Sequence, residues 1–439
     1  SNLKTWFNDH NSKPLIIRGA RQVGKSTLVR LFSEDVGLDL IELNLEIEKL
    51  SSVEDHNFDL NKLLDEIQLK KGKIINEKTL IFFDEIQESP KLLKLLRYFY
   101  EMRPDLKVVA AGSLLEIALR SENFSFPVGR VQFLYLGPMS FREFLWATGN
   151  EILDERLSEF KFSGPIHEKG LELLRYYLYV GGMPEAVKEY SVSKSIVKVR
   201  EIQSQLIQAY AADFPKYNRR IDSDRIGRVF LGLSQMVGEK IVYTKLDPSS
   251  SSREIKRVVE LLTDSRVIIK CVHSSANSSP LLGEVNDKIF KTYFIDVGLL
   301  GASLNLNIDA IDKIFKENNI KGKMAEQFVA QHLNYCRGIT ASPELIYHLK
   351  DQGVQKAEVD FVIDIDGQII PIEVKSSSKG HLKSLKYFST SKDSILSVKT
   401  SLAEYSKEVG FTKDSYLVNI PLYAIEYLNK NIQKIIANE

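Results

Sequence analysis

One run of residues constrains this chain more than any other: Gly19-Ala20-Arg21-Gln22-Val23-Gly24-Lys25-Ser26, set between an apolar stretch and a helical pattern. It fits the spacing G-x-x-x-x-G-K-[ST]. Leu15-Ile16-Ile17, just before it, reads as a buried strand. The two glycines let the backbone bend so that its N–H groups converge on phosphate oxygens. The helix opening near Lys25 adds its positive N-terminal end. Lys25 is expected on the β- and γ-phosphates and Ser26 on Mg²⁺, with Ala20, Arg21, Gln22, Val23 and Thr27 completing the segment around the nucleotide. The bland alternative is a chance glycine turn, and the strand and helix on either side argue against it. ATP and Mg²⁺ are the cofactors expected.

Such a loop needs an acidic strand end beside it. Thr79-Leu80-Ile81-Phe82-Phe83-Asp84-Glu85 supplies one, with four apolar residues running into two carboxylates. Asp84 is expected to hold Mg²⁺ through water and Glu85 to orient and deprotonate the attacking water. A third apolar run, residues 107–111, ends in Gly112-Ser113, and Ser113 is the candidate γ-phosphate sensor; a plain turn serine is the alternative. Arg130 is a candidate for transition-state charge on a nucleotide of this or a neighbouring subunit, against a solvated loop arginine. These runs are continuous rather than alternating, as in strands buried on both faces of a parallel sheet, and helical patterns separate them.

Composition sets the outer limits. With 439 residues, 44% of them apolar and 27% charged, the chain is not wholly disordered and has material for several cores. Lys plus Arg is 59 against 58 for Asp plus Glu, so any polyanion must be held by a local patch. Two distant cysteines, Cys271 and Cys336, fit a reducing compartment. No apolar run approaches the ~20 residues of a membrane span. The opening SNLKTWFNDH lacks a secretory segment, so a cytoplasmic protein with no membrane partner is expected.

Further motifs give a family resemblance. The loop, the Asp84-Glu85 strand end, Ala111-Gly112-Ser113 and the run Leu136-Gly137-Pro138-Met139-Ser140-Phe141-Arg142-Glu143-Phe144-Leu145 resemble a prokaryotic AAA-type ATPase family. In that family a poorly characterised C-terminal domain follows the ATPase. The chain resembles that domain too, at Gly181-Gly182-Met183-Pro184-Glu185, Phe294-Ile295-Asp296-Val297-Gly298-Leu299 and Glu358-Val359-Asp360-Phe361-Val362-Ile363. The resemblance implies an α/β P-loop NTPase domain over 1–150. A helical and winged-helix-like region would follow over 151–278, and an α+β restriction-endonuclease-like domain over 279–439.

The residues support the last two parts in their own right. A serine turn at 249–252, an amphipathic helix over 253–264 and a strand over 266–270 read as a winged helix-turn-helix, and 274–280 reads as a boundary. Farther on, Asp366-Gly367 joins two strand-like runs as a two-residue hairpin. Its register sets Asp360 opposite Glu373 and Glu358 opposite Lys375, all on one face. Opposed carboxylates repel and call for a cation. Asp360, Glu373 and Lys375 resemble the metal centre of restriction-endonuclease-like and archaeal Holliday-junction-resolvase-like nucleases, with Glu326 from an earlier helix as a further ligand. A charge-paired, solvated hairpin face remains the alternative.

Basic residues cluster at Lys216, Arg219 and Arg220 beside Tyr217, at Arg253, Lys256 and Arg257, and at Lys375, Lys379, Lys383 and Lys386. Each patch could meet nucleic-acid phosphates, but taken alone each reads more readily as a solvated face. Two functions stay open. One is an ATP-hydrolysing protein that couples nucleotide state to a DNA-binding or nuclease-like domain. The other is a nucleotide-controlled switch or scaffold with an inactive nuclease-like domain. DNA, a protein partner and further copies of the chain stay open as partners.

Overall fold

The computed structural model describes residues 2–55, 57–113, 115, 129–217, 222–309, 320–335, 344–351, 356–375 and 382–437. Arg219, Arg220, Cys336 and Lys379 lie outside them, and Lys216 and Tyr217 are described in their backbone alone. Two compact units emerge, one essentially residues 1–137 and the other most of residues 138–439.

The first unit is a parallel sheet covered on both faces. Its strands are β1 (Leu15–Arg18), β2 (Asp39–Asn44), β3 (Thr79–Asp84), β4 (Lys107–Gly112) and β5 (Gln132–Tyr135), in the order β2-β3-β4-β1-β5. Every pairing is parallel. The apolar runs explain this: alternate side chains of one strand serve two cores. Ile16, Ile41, Ile81, Phe83 and Val108 pack on one face, against Leu63 and Ile67 of one helix and Leu92, Leu93 and Leu96 of another. Leu15, Ile17, Leu80, Phe82 and Val109 pack on the other, with Val29 and Phe32 of the helix Lys25–Val36. Phe82 and Phe83 are fully buried, and each contributes about 1.5–3 kcal/mol by burial.

The second unit begins with helices. Phe141–Ala147 opens on a capping box, in which Ser140 accepts from the Glu143 N–H and Glu143 accepts from the Ser140 N–H. Expected inside the first domain, this helix belongs to the second unit. Longer helices follow, Pro165–Val180, Pro184–Ser193 and Ile196–Tyr217, and then Ser223–Gln235, Tyr243–Leu246 and Ser252–Asp264. The strand expected over 266–270 is β6 (Ile268–Ser274), antiparallel to β7 (Val285–Phe294). The division expected at 278–279 thus falls in the turn of a paired hairpin. A mixed sheet β7-β6-β8-β9 adds β8 (Leu345–Lys350) and β9 (Ala357–Val359). A second sheet, β10-β11-β12-β14-β13, comprises β10 (Phe361–Ile365), β11 (Gln368–Val374), β12 (Leu396–Ser401), β13 (Ser406–Val409) and β14 (Tyr416–Pro421). Among the described residues, no helix is long and apolar enough to cross a membrane.

The family motifs converge in this unit. Met139 N–H donates to Gly182 O at 2.7 Å and Tyr177 Oη donates to Met139 O at 2.6 Å. Gly182 N–H donates to the buried carboxylate of Asp296 at 2.5 Å, which also accepts from Leu299 N–H at 2.9 Å. A Cβ on Gly182 would stand 2.0 Å from Met139 O, and one on Gly181, whose φ is +70°, would stand 2.2 Å from Asp296 Oδ1. Beside this junction His332 is buried. Its Nε2 accepts from Phe141 N–H at 2.9 Å and its Nδ1 donates to Phe328 O at 2.7 Å.

Both nitrogens of His332 are committed in the neutral form, and burial pushes its pKa from 6.5 down to about 4. The unfolded imidazole protonates near its ordinary value and the folded one only near 4, so this contribution is complete above pH 6.5 and is lost as pH falls toward 4. Urea titrations from pH 7 to pH 4 should show a loss of up to roughly 1.4 kcal/mol per pH unit from this group. His332→Gln should lose stability at pH 7 and remove that share of the acid sensitivity; an unchanged slope would show that His332 does not carry it.

Candidate functional site

β1 delivers the chain to Gly19 at the carboxyl edge of the parallel sheet. Glycine is required there, because an added Cβ would lie 2.2 Å from Leu136 O. The loop then turns through left-handed backbone at Gln22 (φ 61°) and Gly24 (φ 90°) and enters the helix that starts at Lys25. Ala20 and Val23 are buried beneath the turn, Arg21 is half-buried, and Gln22 and Thr27 are exposed. Lys25 is buried, and its Nζ donates to Gly19 O at 3.1 Å and Ala20 O at 2.8 Å. The ammonium therefore lies inside the curl of the loop.

β3 supplies the facing wall. Ser26 Oγ donates to Asp84 Oδ2 at 2.6 Å, and Asp84 Oδ1 accepts from Glu85 N–H at 3.0 Å. Burial raises the Asp84 pKa, while the Ser26 hydroxyl and Lys25 oppose the rise. A buried carboxylate beside a hydroxyl is an all-oxygen pair suited to a hard divalent cation. Glu85 sits in left-handed backbone (φ 52°), which turns its side chain off the strand axis. Its Oε2 accepts from Gln87 Nε2 at 2.5 Å and from Ser113 Oγ at 3.3 Å. The strand order places the end of β4, and hence Ser113, between the loop after β1 and the carboxylates after β3. Loop, Asp84, Glu85 and Ser113 are thus brought together.

Two features depart from the sequence reading. Gln87 belongs to the site: it is buried, it holds Glu85, and its Oε1 has no partner. Gly112 makes room for it, since a Cβ there would lie 2.6 Å from that oxygen. Arg130, by contrast, is remote from the loop of its own chain. It precedes β5, whose Gln132 aligns with Leu15 at the opening end of β1. The loop follows the other end of that four-residue strand, about 13 Å away at 3.3 Å per residue. Arg130 there pairs with Glu101 at 2.8 Å.

In the second unit the hairpin register is as expected, with Ile365 opposite Gln368 and Phe361 opposite Ile372. The first arm is not continuous, however. It bends at Asp360, and β9 leaves β11 to pair with β8, so Glu358 lies opposite Leu349 rather than Lys375. Asp360 instead accepts from Val374 N–H at 2.8 Å. Lys375 Nζ donates to Glu373 Oε1 at 2.6 Å, and Glu373 Oε2 is buried without a partner. Glu326 joins the group, accepting from Tyr293 Oη at 3.2 Å. Burial and then Asp360 push Glu326 up to about 8 and Glu373 up to about 7.

Sequence reading missed Lys291. It is fully buried and pairs with Glu358. Burial would lower its pKa, but Glu326, Asp360 and Glu358 together raise it. The signal was a lone lysine in the apolar run Ile289-Phe290-Lys291-Thr292-Tyr293-Phe294. The cation that the carboxylates call for is thus partly supplied by the fold. Among the described residues, no group of three or more His, Cys, Asp or Glu side chains is arranged to hold a metal ion. The basic residues Arg253, Lys256 and Arg257 are exposed on the helix Ser252–Asp264, and Lys383 and Lys386 on the helix Lys383–Lys392.

Comparison with known proteins bears on these units separately. Residues 11–145 match the family model of an AAA domain. Residues 171–310 and 321–425 match two domains of unknown function, DUF8612 and DUF4143. No curated protein matches the chain. Among solved structures, the chain is similar to the Walker-type ATPase PABY2304 of Pyrococcus abyssi, at 16% identity over 69% of this chain and 93% of that one, with a TM-score of 0.44. It is more loosely similar to the ORC2 protein of Aeropyrum pernix, at 15% identity over 72% and 92% with a TM-score of 0.32. The RuvB Holliday junction branch migration motor of Thermotoga maritima aligns at 14% identity over 61% and 84%, with a TM-score of 0.28. These structural likenesses are too loose to assign anything to this chain. The match over residues 11–145, together with the phosphate loop and the parallel sheet, makes the N-terminal part of the chain an AAA-type P-loop ATPase domain, of the kind that binds nucleotide.

Proposed function

We propose that this protein binds and hydrolyses ATP with Mg²⁺, and that nucleotide state controls a DNA-directed second unit. The observation that carries the ATPase reading is the 2.6 Å hydrogen bond from Ser26 Oγ to Asp84 Oδ2, which joins the loop to the acidic strand end. In this reading the loop N–H groups and Lys25 hold the β- and γ-phosphates. Ser26 and Asp84 hold Mg²⁺, which when bound neutralises developing phosphate charge. Glu85 takes the proton of the attacking water, Gln87 aims its carboxylate, and Ser113 reports the γ-phosphate. Arg130 remains a candidate only toward a neighbouring subunit's nucleotide.

For the second unit we favour a nuclease-like domain that binds without cleaving. Lys291 and Lys375 supply from within the fold the positive charge that a metal would bring. A metal-dependent nuclease is the second reading, favoured by the unpartnered Glu373 Oε2 beside Asp360. Glu326, Asp360 and Glu373 would be its ligands and Lys375 its auxiliary, which requires the three carboxylates to rearrange, since they are not arranged to hold a metal ion as they stand. The two readings part in one assay. Linear, branched and single-stranded DNA is incubated with the protein and Mg²⁺ or Mn²⁺, with and without ATP. ATP-sensitive binding without cleavage is expected; cleavage that disappears in Asp360→Asn would overturn the binding-only reading.

Lys25→Ala should weaken ATP binding by roughly 10- to 100-fold, as charge-assisted hydrogen bonds to phosphate are lost. Calorimetry with unchanged affinity would remove the assignment. Glu85→Gln should leave ATP affinity near the parent value and lower kcat by about 10²- to 10⁴-fold. Phosphate release at the parent rate in that variant would deprive Glu85 of its role.

A further inference from the structure

The second unit contains a concavity that neither the ATPase loop nor the carboxylate cluster uses. It has a volume of about 480 Å³ and lies among β6, β7, β8 and the helix Lys383–Lys392, within the range of sites that take small ligands. Its chemistry is one-sided. Among the described residues, two ammonium groups line it, those of Lys350 and Lys392, and their hydrogen-bond partners are neutral oxygens. Lys350 Nζ donates to Tyr387 Oη and lies 4.6 Å from that ring's centroid. Lys392 Nζ donates to Asn277 Oδ1. Among the described residues, the one carboxylate in the lining, Asp351, is already paired with Lys240 at 3.2 Å. Glu284, whose charge acts on Lys392, accepts from Asn277 N–H at 2.8 Å and Ser278 Oγ at 3.2 Å.

Two histidines also line it, in fixed tautomers. His273 Nδ1 accepts from Leu349 N–H at 3.2 Å, so its proton sits on Nε2, which is a donor. His348 Nδ1 donates to Ser274 O at 3.0 Å, which leaves its Nε2 as an acceptor. Burial holds both rings below their ordinary pKa, so they add hydrogen-bonding groups without adding charge. Two half-buried cations with neutral partners, plus an imidazole N–H donor, call for an anion with several acceptor oxygens.

We propose that this cavity binds a phosphate monoester, held by Lys350, Lys392 and His273 Nε2. The phosphate belongs either to a free mononucleotide or to the terminal phosphate of a nucleic-acid strand. The site is built from the second unit alone and does not rest on the ATPase reading.

The test uses the full chain carrying Lys25→Ala, which weakens binding at the P-loop. Calorimetry compares AMP, a 5′-phosphorylated single-stranded oligonucleotide and the same strand without its phosphate. At least one phosphorylated ligand should bind, and the strand lacking the phosphate should bind at least tenfold more weakly than its phosphorylated form if the strand is the source. AMP binding alone would identify a free nucleotide. Adding Lys350→Ala and Lys392→Ala should weaken the bound ligand at least tenfold. The pair Lys350→Arg and Lys392→Arg, which keeps the charge, should retain it. Lys350→Gln with Lys392→Gln repeats the loss with side-chain bulk preserved, and thermal melts check that each variant is folded. If no phosphorylated ligand binds, or if the Ala and Gln pairs bind as tightly as the parent, the proposal is overturned.

Discussion

The second unit depends on one buried carboxylate. Asp296 accepts from the backbone N–H groups of Gly182 and Leu299, and Gln331 reaches it from a third segment. Burial raises its pKa to about 6, with those donors opposing the rise. A carboxylate can be buried at this depth only because backbone donors satisfy it. Those donors can reach it only because Gly181 and Gly182 have no side chains to block the approach. Through Met139 and Tyr177 the same junction orients the Ser140-capped helix. The Gly181-Gly182 and Asp296 motifs in this part of the chain are therefore chiefly rules of packing, which is why they carried no chemistry in the sequence.

The first unit follows a different logic. A parallel sheet puts the carboxyl ends of neighbouring strands side by side, so three separate sequence segments converge without contacts designed for that purpose. The order β2-β3-β4-β1-β5 sets the phosphate loop, Ser113 and the Asp84-Glu85 pair next to one another. Gln87 adds the refinement. Its amide N–H grips Glu85 while its carbonyl has no partner, so the side chain is held from one end only.

These two logics explain what was legible in the sequence. The loop, Asp84, Glu85 and Ser113 could be read because each follows directly from its own strand, and a buried parallel strand announces itself as a continuous apolar run. Arg130 could not be placed, because which end of a sheet a residue occupies depends on the register of a short fifth strand with a half-exposed start. The hairpin register was legible from Asp366-Gly367, since a two-residue turn fixes pairing locally. The bend at Asp360 was not, because it results from competition between two strands for one segment. Lys291 was visible only as a charge out of place, and its partners come from segments far away in the sequence.

That bend has a mechanical consequence. The stretch Ala357–Ile365 hydrogen-bonds with β8 on one side of Asp360 and with β11 on the other. One short ribbon is thus stitched into two separate fabrics. Peeling it from either sheet pulls on the other, and a carboxylate tied to Val374 N–H sits at the stitch. The two sheets are then expected to open together as one cooperative block instead of fraying in turn.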